Sequence, residues 1–180
     1  MVGGTGMLAD LTPQLIERGY WVTVIGRSPE RLESLLDRLD PRAHYMTPLA
    51  FDYHDDRKVH KWVEHVQLMQ GPFDLVVAWL HEPRDPVLRA IGEEVVGYRH
   101  DQWRLLDLRG IRISSVSPRG VLPATCRYQR VQLGYQPAAG GYRWLTHQEI
   151  VSGVLKAVDS PHSELVAVGH TELPLPDSLL

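Results

Sequence analysis

The sequence has little that would suit a secreted, membrane-spanning or nucleic-acid-binding protein. Its 180 residues include one cysteine, Cys126, so no disulfide can form within the chain. A reducing cytoplasm is therefore the expected compartment, and a buried, inert thiol is the expected role of Cys126. No apolar run approaches the ~20 residues that a membrane-spanning helix needs. The formal net charge of −3 offers no basic field, so we expect neither nucleic acid nor a membrane as a partner.

The apolar residues that are present alternate between strand-like runs and helix-like stripes. Residues 73–80 form an almost wholly apolar run, which is typical of a parallel strand buried on both faces. Residues 32–39 repeat leucine at the spacing of one helix face. This alternation predicts βαβ units, and a length of 180 residues fits one domain. We therefore predict an α/β, Rossmann-like fold with a doubly wound, mostly parallel sheet, in a single domain spanning 1–180.

The positions of the other strands and helices follow from the same periodicities and from capping residues. The predicted strands are 20–25, 47–52, 73–80, 103–108, 127–135 and 164–168. Helices are predicted after Gly6, Ser28, Asp55 or Asp56, Asp85 and the capping box of Thr146 and Glu149. Pro13 predicts a kink or a late start in the first helix, because proline lacks an N–H. Residues 109–126 and 137–141 are predicted to be loops or turns, and the tail after 168 a surface segment.

A glycine-rich loop near the start of the chain is the first candidate site. Glycines allow a tight turn and a close approach to a bulky anion, and the start of a following helix offers free N–H groups. A strand follows at the spacing typical of a dinucleotide-binding βαβ unit. We therefore predict that the loop binds the pyrophosphate of a dinucleotide, although a plain tight turn would use glycine too. The predicted residues are Gly3, Gly4, Thr5, Gly6, Met7 and Leu8.

The end of the next predicted strand indicates which dinucleotide would bind. NAD sites usually carry an acidic residue there, about 20 residues after the glycines, which binds the ribose hydroxyls. This chain has Arg27 and Ser28 instead, and a guanidinium with a hydroxyl suits the 2′-phosphate of NADP(H). The alternative is a solvated Arg27 beside a helix-capping Ser28, and Glu30 is an acid close enough to weaken the NADP interpretation.

Residues after the following two strands are candidates for the rest of the cofactor site. Asp52 or Tyr53 could lie beside the adenine, or could simply begin a turn. Trp79 and His81 lie at the carboxyl end of the strand at 73–80, where open α/β sheets bind their ligands. Core packing is the alternative role for Trp79, and plain surface exposure is the alternative for His81.

His81 and Tyr128 are the candidates for a catalytic proton donor. His81 is the best-placed titratable group near the expected nicotinamide, and Tyr128 could line a substrate pocket, with packing as its alternative role. The other histidines predict no metal site. His54, His60 and His65 lack the i, i+3 or i, i+4 spacing that places two ligands on one helix face.

The Gly-Gly-Thr-Gly start and the sequence Gly26-Arg27-Ser28 resemble the atypical, NADP-preferring branch of the short-chain dehydrogenase/reductase superfamily. The order of the predicted elements is similar to that of the family over most of the chain. The resemblance implies a doubly wound sheet, NADP(H) as the cofactor, a small-molecule substrate and a homo-oligomer. The motif is specific for cofactor binding and says little about the reaction.

Two features depart from the family pattern. The family's catalysis uses a tyrosine with a lysine four residues later, and none of the seven tyrosines here has that partner. The helix that should carry the pair is replaced by the predicted loop around Pro118 and Pro123. In addition, only Met1 and Val2 precede the glycines, whereas a strand needs about five residues. We expect either a natural start further upstream or a truncated first strand.

Three functions are compatible with these features. The first is an NADPH-dependent reductase of a small carbonyl compound, with His81 or Tyr128 as an unconventional proton donor. The second is a non-catalytic NADPH sensor or scaffold, which the missing tyrosine–lysine pair favours. The third is a degenerate domain that no longer binds the cofactor, for which the short first strand is the indication. Turnover with NADPH would separate the first function from the second.

Overall fold

The computed structural model describes residues 1–111 and 118–172, whose strands form a parallel sheet and a small hairpin. The strands are β1 Val22–Gly26, β2 Met46–Ala50, β3 Leu75–Trp79, β4 Trp103–Gly110, β5 Cys126–Leu133, β6 Tyr135–Ala138, β7 Gly141–Trp144 and β8 Leu165–Val168. Two parallel groups, β2-β1 and β3-β4-β5-β8, are joined by Val2, which bridges Ile25 on one side and Ala78 on the other. From Val2 the chain runs outwards to β2, then crosses back to β3 and continues outwards to β8. This reversal of direction beside Val2 is the topological switch point of the sheet.

Helices cover both faces of the sheet, as expected for a doubly wound fold. They are α1 Leu11–Glu17, α2 Pro29–Leu39, α3 Asp56–Gln70, α4 Asp85–Tyr98 and α5 His147–Val158. One core lies between the sheet and α1, α2 and α5, and contains the fully buried Leu106 and Val154. The second core lies on the other face against α3 and α4, and contains Val59 and Val95. The predicted α/β fold with a mostly parallel, doubly wound sheet is therefore confirmed.

Three of the helices begin at the capping residues that the sequence predicts. The Ser28 hydroxyl accepts a hydrogen bond from the Arg31 N–H at 3.3 Å, and Asp55 accepts from Lys58 at 3.2 Å. Thr146 and Glu149 form the reciprocal capping box at the start of α5. These side chains satisfy backbone donors that have no partner inside their helices.

The structure differs from the sequence prediction in three places. Helix α1 begins only at Leu11, so the late start predicted from Pro13 is confirmed, and residues between Gly6 and Leu11 form turns instead of a helix. Residues 137–141 are not a simple loop, because the antiparallel strands β6 and β7 pair across them. Of the predicted loop at 109–126, the beginning extends β4 to Gly110, and 118–120 form a 3₁₀ turn. Its residues 112–117 lie outside the described residues, as does the tail from 173 onwards.

The predicted short first strand is present as a very short central segment. Val2 is hydrogen-bonded to Val77 and Trp79 of β3, and its neighbours Met1 and Gly3 are hydrogen-bonded to Ile25 of β1. Across 1–111 and 118–172, no helix has the length and apolar character required to cross a membrane.

Candidate functional site

The glycine loop packs so closely against the ends of two strands that two glycines are required there. Gly3 has a φ of +73°, and a Cβ atom on it would overlap the carbonyl oxygen of Trp79 at the end of β3. A Cβ atom on Gly26 would lie 2.6 Å from Cγ2 of Thr5. A side chain at Gly3 would therefore be both strained and excluded, and a side chain at Gly26 would displace Thr5.

Free backbone donors follow the first of these glycines. The N–H of Ala9 donates to the carbonyl of Gly6, but within the described part of the chain the N–H groups of Thr5, Gly6 and Met7 donate to no acceptor. Because α1 starts at Leu11, the positive end of a helix dipole does not lie directly behind the loop. Anion binding here would depend on the free N–H groups of the turn itself.

These residues border an open groove with a volume of about 460 Å³ at the carboxyl edge of the sheet. The groove lies over Val2 and the ends of β1 and β3, which is the switch point where doubly wound sheets bind their ligands. Nine of the residues predicted for the site line it, together with two that were not predicted, Gly26 and Arg31. The lining residues are Gly3, Thr5, Gly6, Met7, Gly26, Arg27, Ser28, Arg31, Tyr53, Trp79 and His81.

One end of the groove carries two exposed arginines. Arg27 and Arg31 both line it, and neither guanidinium forms an ion pair with any residue in the described ranges. The hydroxyl of Ser28 donates to Glu30 at 2.6 Å, and this hydrogen bond lowers the pKa of the Glu30 carboxyl. The nearby acid is thus engaged with Ser28, while the two guanidinium groups remain free to bind an anion. Arg31 lies in the first turn of α2, four residues after Arg27, which precedes the helix.

The other end of the groove is formed by aromatic and imidazole rings. The Tyr53 hydroxyl accepts a hydrogen bond from the backbone N–H of His81 at 3.3 Å, and Tyr53 is almost fully buried. His54 Nε2 lies 3.4 Å from the carbonyl oxygen of His81. The rings of Trp79 and His81 meet edge-to-face with centroids 6.1 Å apart. Tyr53 and His54 therefore hold the backbone of His81, whose side chain is exposed at the groove.

Three residues predicted to bind the cofactor do not line the groove. Leu8 is fully buried in the core against α2 and α5, because the turn after Gly6 directs it inwards. Gly4 is buried, and a Cβ on it would lie 2.6 Å from Cε of Met1, so its role is packing. Asp52 is exposed and accepts a hydrogen bond from the His54 N–H at 3.0 Å, which makes it part of a turn.

Tyr128, the second catalytic candidate, does not lie with His81. It is the third residue of β5, near the amino end of that strand, whereas His81 follows the carboxyl end of β3. Its hydroxyl donates to Asp107 at 2.9 Å, and its ring borders a different cavity, beside Cys126 and His162. Burial raises the pKa of the Cys126 thiol to about 12, so this cysteine is a poor nucleophile, as expected.

A buried charge cluster around Asp107 was missed by the sequence reasoning. Asp107 is fully buried on β4 and binds the guanidinium groups of Arg84, which is also buried, and Arg109, whose Nε lies 2.8 Å away. Among residues 1–111 and 118–172, the Nε and Nη1 atoms of Arg84 find no hydrogen-bond partner. Burial first, and then the charge of Arg109, lowers the pKa of Arg84. The only sequence signal was the presence of three charged residues, Arg104, Asp107 and Arg109, within the otherwise apolar strand 103–110.

The sheet order, the switch point and the glycine loop together define a doubly wound, Rossmann-type fold. Solved structures similar to this chain include short-chain dehydrogenases/reductases. A short-chain dehydrogenase/reductase from Brucella melitensis matches with a TM-score of 0.72 at 13% identity, covering 97% of this chain and 95% of that chain. An alcohol dehydrogenase from Thermococcus sibiricus, complexed with 5-hydroxy-NADP, matches with a TM-score of 0.71 at 15% identity, covering 97% of each chain.

A β-ketoacyl-[ACP] reductase from Bacteroides thetaiotaomicron is also similar, with a TM-score of 0.67 at 15% identity over 94% of each chain. No protein-family model matches the chain, and no curated protein matches it in sequence. The chain therefore has the fold of the short-chain dehydrogenases/reductases, and the predicted resemblance is confirmed at the level of the fold.

Proposed function

We propose that this chain is an NADP(H)-binding member of the short-chain dehydrogenase/reductase superfamily. The observation that carries the proposal is the pair of exposed arginines, Arg27 and Arg31, at one end of the switch-point groove. Two guanidinium groups with no carboxylate partner in the described part of the chain favour an anionic group at this end, as the 2′-phosphate of NADP(H) would provide.

Other groups in the groove fit the rest of the dinucleotide. The free N–H groups of Thr5, Gly6 and Met7 would hold the pyrophosphate, since backbone donors in a turn bind phosphate oxygens. Trp79 and His81 would lie towards the nicotinamide, because they follow the strand at the far side of the switch point. The cavity volume of about 460 Å³ is within the range typical of cofactor sites.

The position of His81 favours an NADP(H)-dependent oxidoreductase as the function of this site. Its imidazole is exposed at the groove and its backbone is held by the Tyr53 hydroxyl. An imidazole there could give a proton to a carbonyl oxygen of a small substrate, and the bound cofactor would supply the hydride. The similar solved structures are a reductase and dehydrogenases by name, which agrees with this use.

A non-catalytic NADPH sensor is the second candidate. It is favoured by the absence of a Tyr-x-x-x-Lys pair from the sequence and by the position of Tyr128, which is hydrogen-bonded to Asp107 away from the groove. Both candidates need the same bound dinucleotide. A cytoplasmic location and a homo-oligomeric state stay predictions from composition and from the resemblance.

The proposal is tested first by nucleotide binding and then by turnover. A fluorescence titration measures the affinity of the protein for each nucleotide, and we expect the affinity to be higher for NADPH than for NADH. Arg89 lies on the exposed face of α4, so Arg89→Ala should leave both affinities unchanged. Binding of neither nucleotide would contradict the proposal. Oxidation of NADPH with a panel of small aldehydes and ketones, lost in His81→Ala with NADPH binding retained, would identify the oxidoreductase. Binding without turnover would identify the sensor.

A further inference from the structure

A second open cavity lies on the opposite edge of the sheet from the dinucleotide groove. Its volume is about 540 Å³, and its described lining comprises residues 122–128, residues 162–164 and Gln102. Gln102, Thr125 and Glu164 immediately precede β4, β5 and β8, so the cavity lies at the amino edge of these three strands. None of its lining residues borders the groove at the carboxyl edge, and the cavity is therefore a separate candidate site.

The ladder between β5 and β8 opens beside this cavity. The Arg130 N–H donates to the Glu164 carbonyl at 2.8 Å, where the parallel pairing of the two strands begins. Alternate residues of a strand direct their backbone groups to the same side, so the N–H and C=O of Tyr128 face the same way as those of Arg130. A continued ladder would join Tyr128 to His162 and Glu164, and neither bond is formed. Within the described part of the chain, Tyr128 thus offers an unpaired backbone donor and acceptor beside the cavity.

Two side chains add polar donors just before Tyr128 in β5. The Thr125 hydroxyl is buried and has no hydrogen-bond partner among residues 1–111 and 118–172. The half-buried Arg127 also lines the cavity, and its guanidinium forms no ion pair with a described residue. A buried hydroxyl without a partner is costly, and a guanidinium prefers a negatively charged acceptor. These two groups therefore favour an anionic acceptor at this end of the cavity.

The remaining lining is apolar on one side and acidic on another. Leu122, Pro123 and Cys126 contribute apolar surface. Burial raises the pKa of the Cys126 thiol to about 12, so the thiol stays neutral and belongs to this apolar wall. Glu164 lines the cavity next to β8, where its carboxylate disfavours a second anion. A ligand that fits these features is anionic near Arg127 and uncharged, with an N–H donor, further along β5.

We propose that this cavity binds the carboxylate end of an acylated amino acid. In an antiparallel hydrogen-bonded pair, two residues exchange both of their N–H···O bonds. The ligand's terminal residue makes this exchange with Tyr128: its amide N–H donates to the Tyr128 carbonyl, and its carboxylate accepts from the Tyr128 N–H. The Arg127 guanidinium compensates the charge of the carboxylate, and the Thr125 hydroxyl gains an acceptor. The carboxyl terminus of a peptide has the same chemistry. The inference is independent of the cofactor proposal.

An NMR titration of the complete chain tests the inference. N-acetylleucine is the test ligand, and N-acetylleucinamide is its matched control, because it keeps the amide N–H and the side chain but lacks the carboxylate. We expect N-acetylleucine to shift the backbone amide signals of Thr125, Arg127 and Tyr128 in a saturable way, with about tenfold higher affinity than its amide. The amide signals of Gly6 and Ser28, in the dinucleotide groove, should not move.

Two variants connect the binding to the named side chains. Arg127→Gln removes the compensating charge and should lower the affinity for N-acetylleucine about tenfold. Thr125→Val removes only the hydroxyl and should lower it less. Arg89→Gln, on the exposed face of α4, should leave the affinity unchanged. Equal affinity for the acid and its amide, equal affinity in Arg127→Gln and the parent chain, or no saturable shift at millimolar ligand would each overturn the inference.

An acetylated dipeptide, N-acetylalanylleucine, distinguishes the two sources of such a carboxylate. Tighter binding than that of N-acetylleucine would identify the carboxyl terminus of a peptide, because a second residue can then pair along β5. Equal or weaker binding would identify a free acylated amino acid. Either result supports the recognition of a carboxylate beside an amide, and the comparison with N-acetylleucinamide is the one that can contradict it.

Discussion

Two pairs of arginines lie near the carboxyl edge of the same sheet, and they differ in their burial and in their ion pairs. Arg27 and Arg31 are exposed at the groove beside β1, and no described residue forms an ion pair with them. Arg84 and Arg109 are buried against β4, and both bind Asp107. The exposed pair can bind an incoming anion without disturbing the core, whereas the buried pair is already committed to a carboxylate.

The comparison indicates that the exposed arginines are suited to ligand binding, whereas the buried arginines contribute to stability. A buried ion pair holds its elements together only while both partners are present, because the survivor becomes an unpaired charge in the core. An exposed guanidinium contributes little to folding and can contribute much to binding. Substitutions in the two regions should therefore have separable effects.

The largest effect is expected for Asp107→Asn, which removes the shared charge and keeps the size of the side chain. Arg84 and Arg109 would lose the buried carboxylate that both of them bind, and the free energy of unfolding should fall by about 3–5 kcal/mol. Urea denaturation measures it. Asp74→Asn is the control, since Asp74 is 71% exposed beside Arg99, and it should change stability by less than about 1 kcal/mol. Equal effects of the two substitutions would remove the distinction between the regions.

Gly3→Ala tests whether the groove depends on the close approach between Gly3 and the carbonyl group of Trp79. The positive φ of Gly3 and the overlap with the Trp79 carbonyl should lower the free energy of unfolding by about 3 kcal/mol and weaken NADPH binding. Gly6→Ala is the matched control for stability, because a Cβ on Gly6 meets no atom within 4 Å. The prediction fails if both alanine variants unfold at the same urea concentration.

The smallest effect is expected at the start of α5, away from both arginine pairs. Thr146→Ala removes one half of the capping box and should lower the free energy of unfolding by about 1 kcal/mol. NADPH affinity should not change, so this variant shows what a loss of stability alone does to binding. A lower NADPH affinity in Thr146→Ala would mean that binding follows stability and not the groove.

The fold could be predicted from the sequence wherever periodicity and capping act locally. The caps Ser28, Asp55 and Thr146 fixed the starts of three helices, and the apolar run at 73–80 fixed a buried strand. The hairpin of β6 and β7 was missed because its proline and glycines are also typical of a turn.

The site could be predicted only in part, because its contacts depend on where each turn directs its side chains. Leu8 was assigned to the cofactor since a helix was expected directly after Gly6, and the later start of α1 places it in the core. Arg31 was overlooked although it lies four residues after Arg27, in the first turn of α2. The bond between Arg84 and Asp107 joins residues 23 positions apart, and no local pattern encodes such a contact.

The central claim is that Arg27 and Arg31 form the phosphate-selective end of a dinucleotide groove. The most direct test is the ratio of NADH to NADPH dissociation constants in the parent chain and in the Arg27→Ala/Arg31→Ala double variant. We predict that the ratio falls at least tenfold, since each lost charged hydrogen bond is worth about 1.5–3 kcal/mol, while NADH affinity is nearly retained. An unchanged ratio, with both nucleotides still bound, would contradict the account.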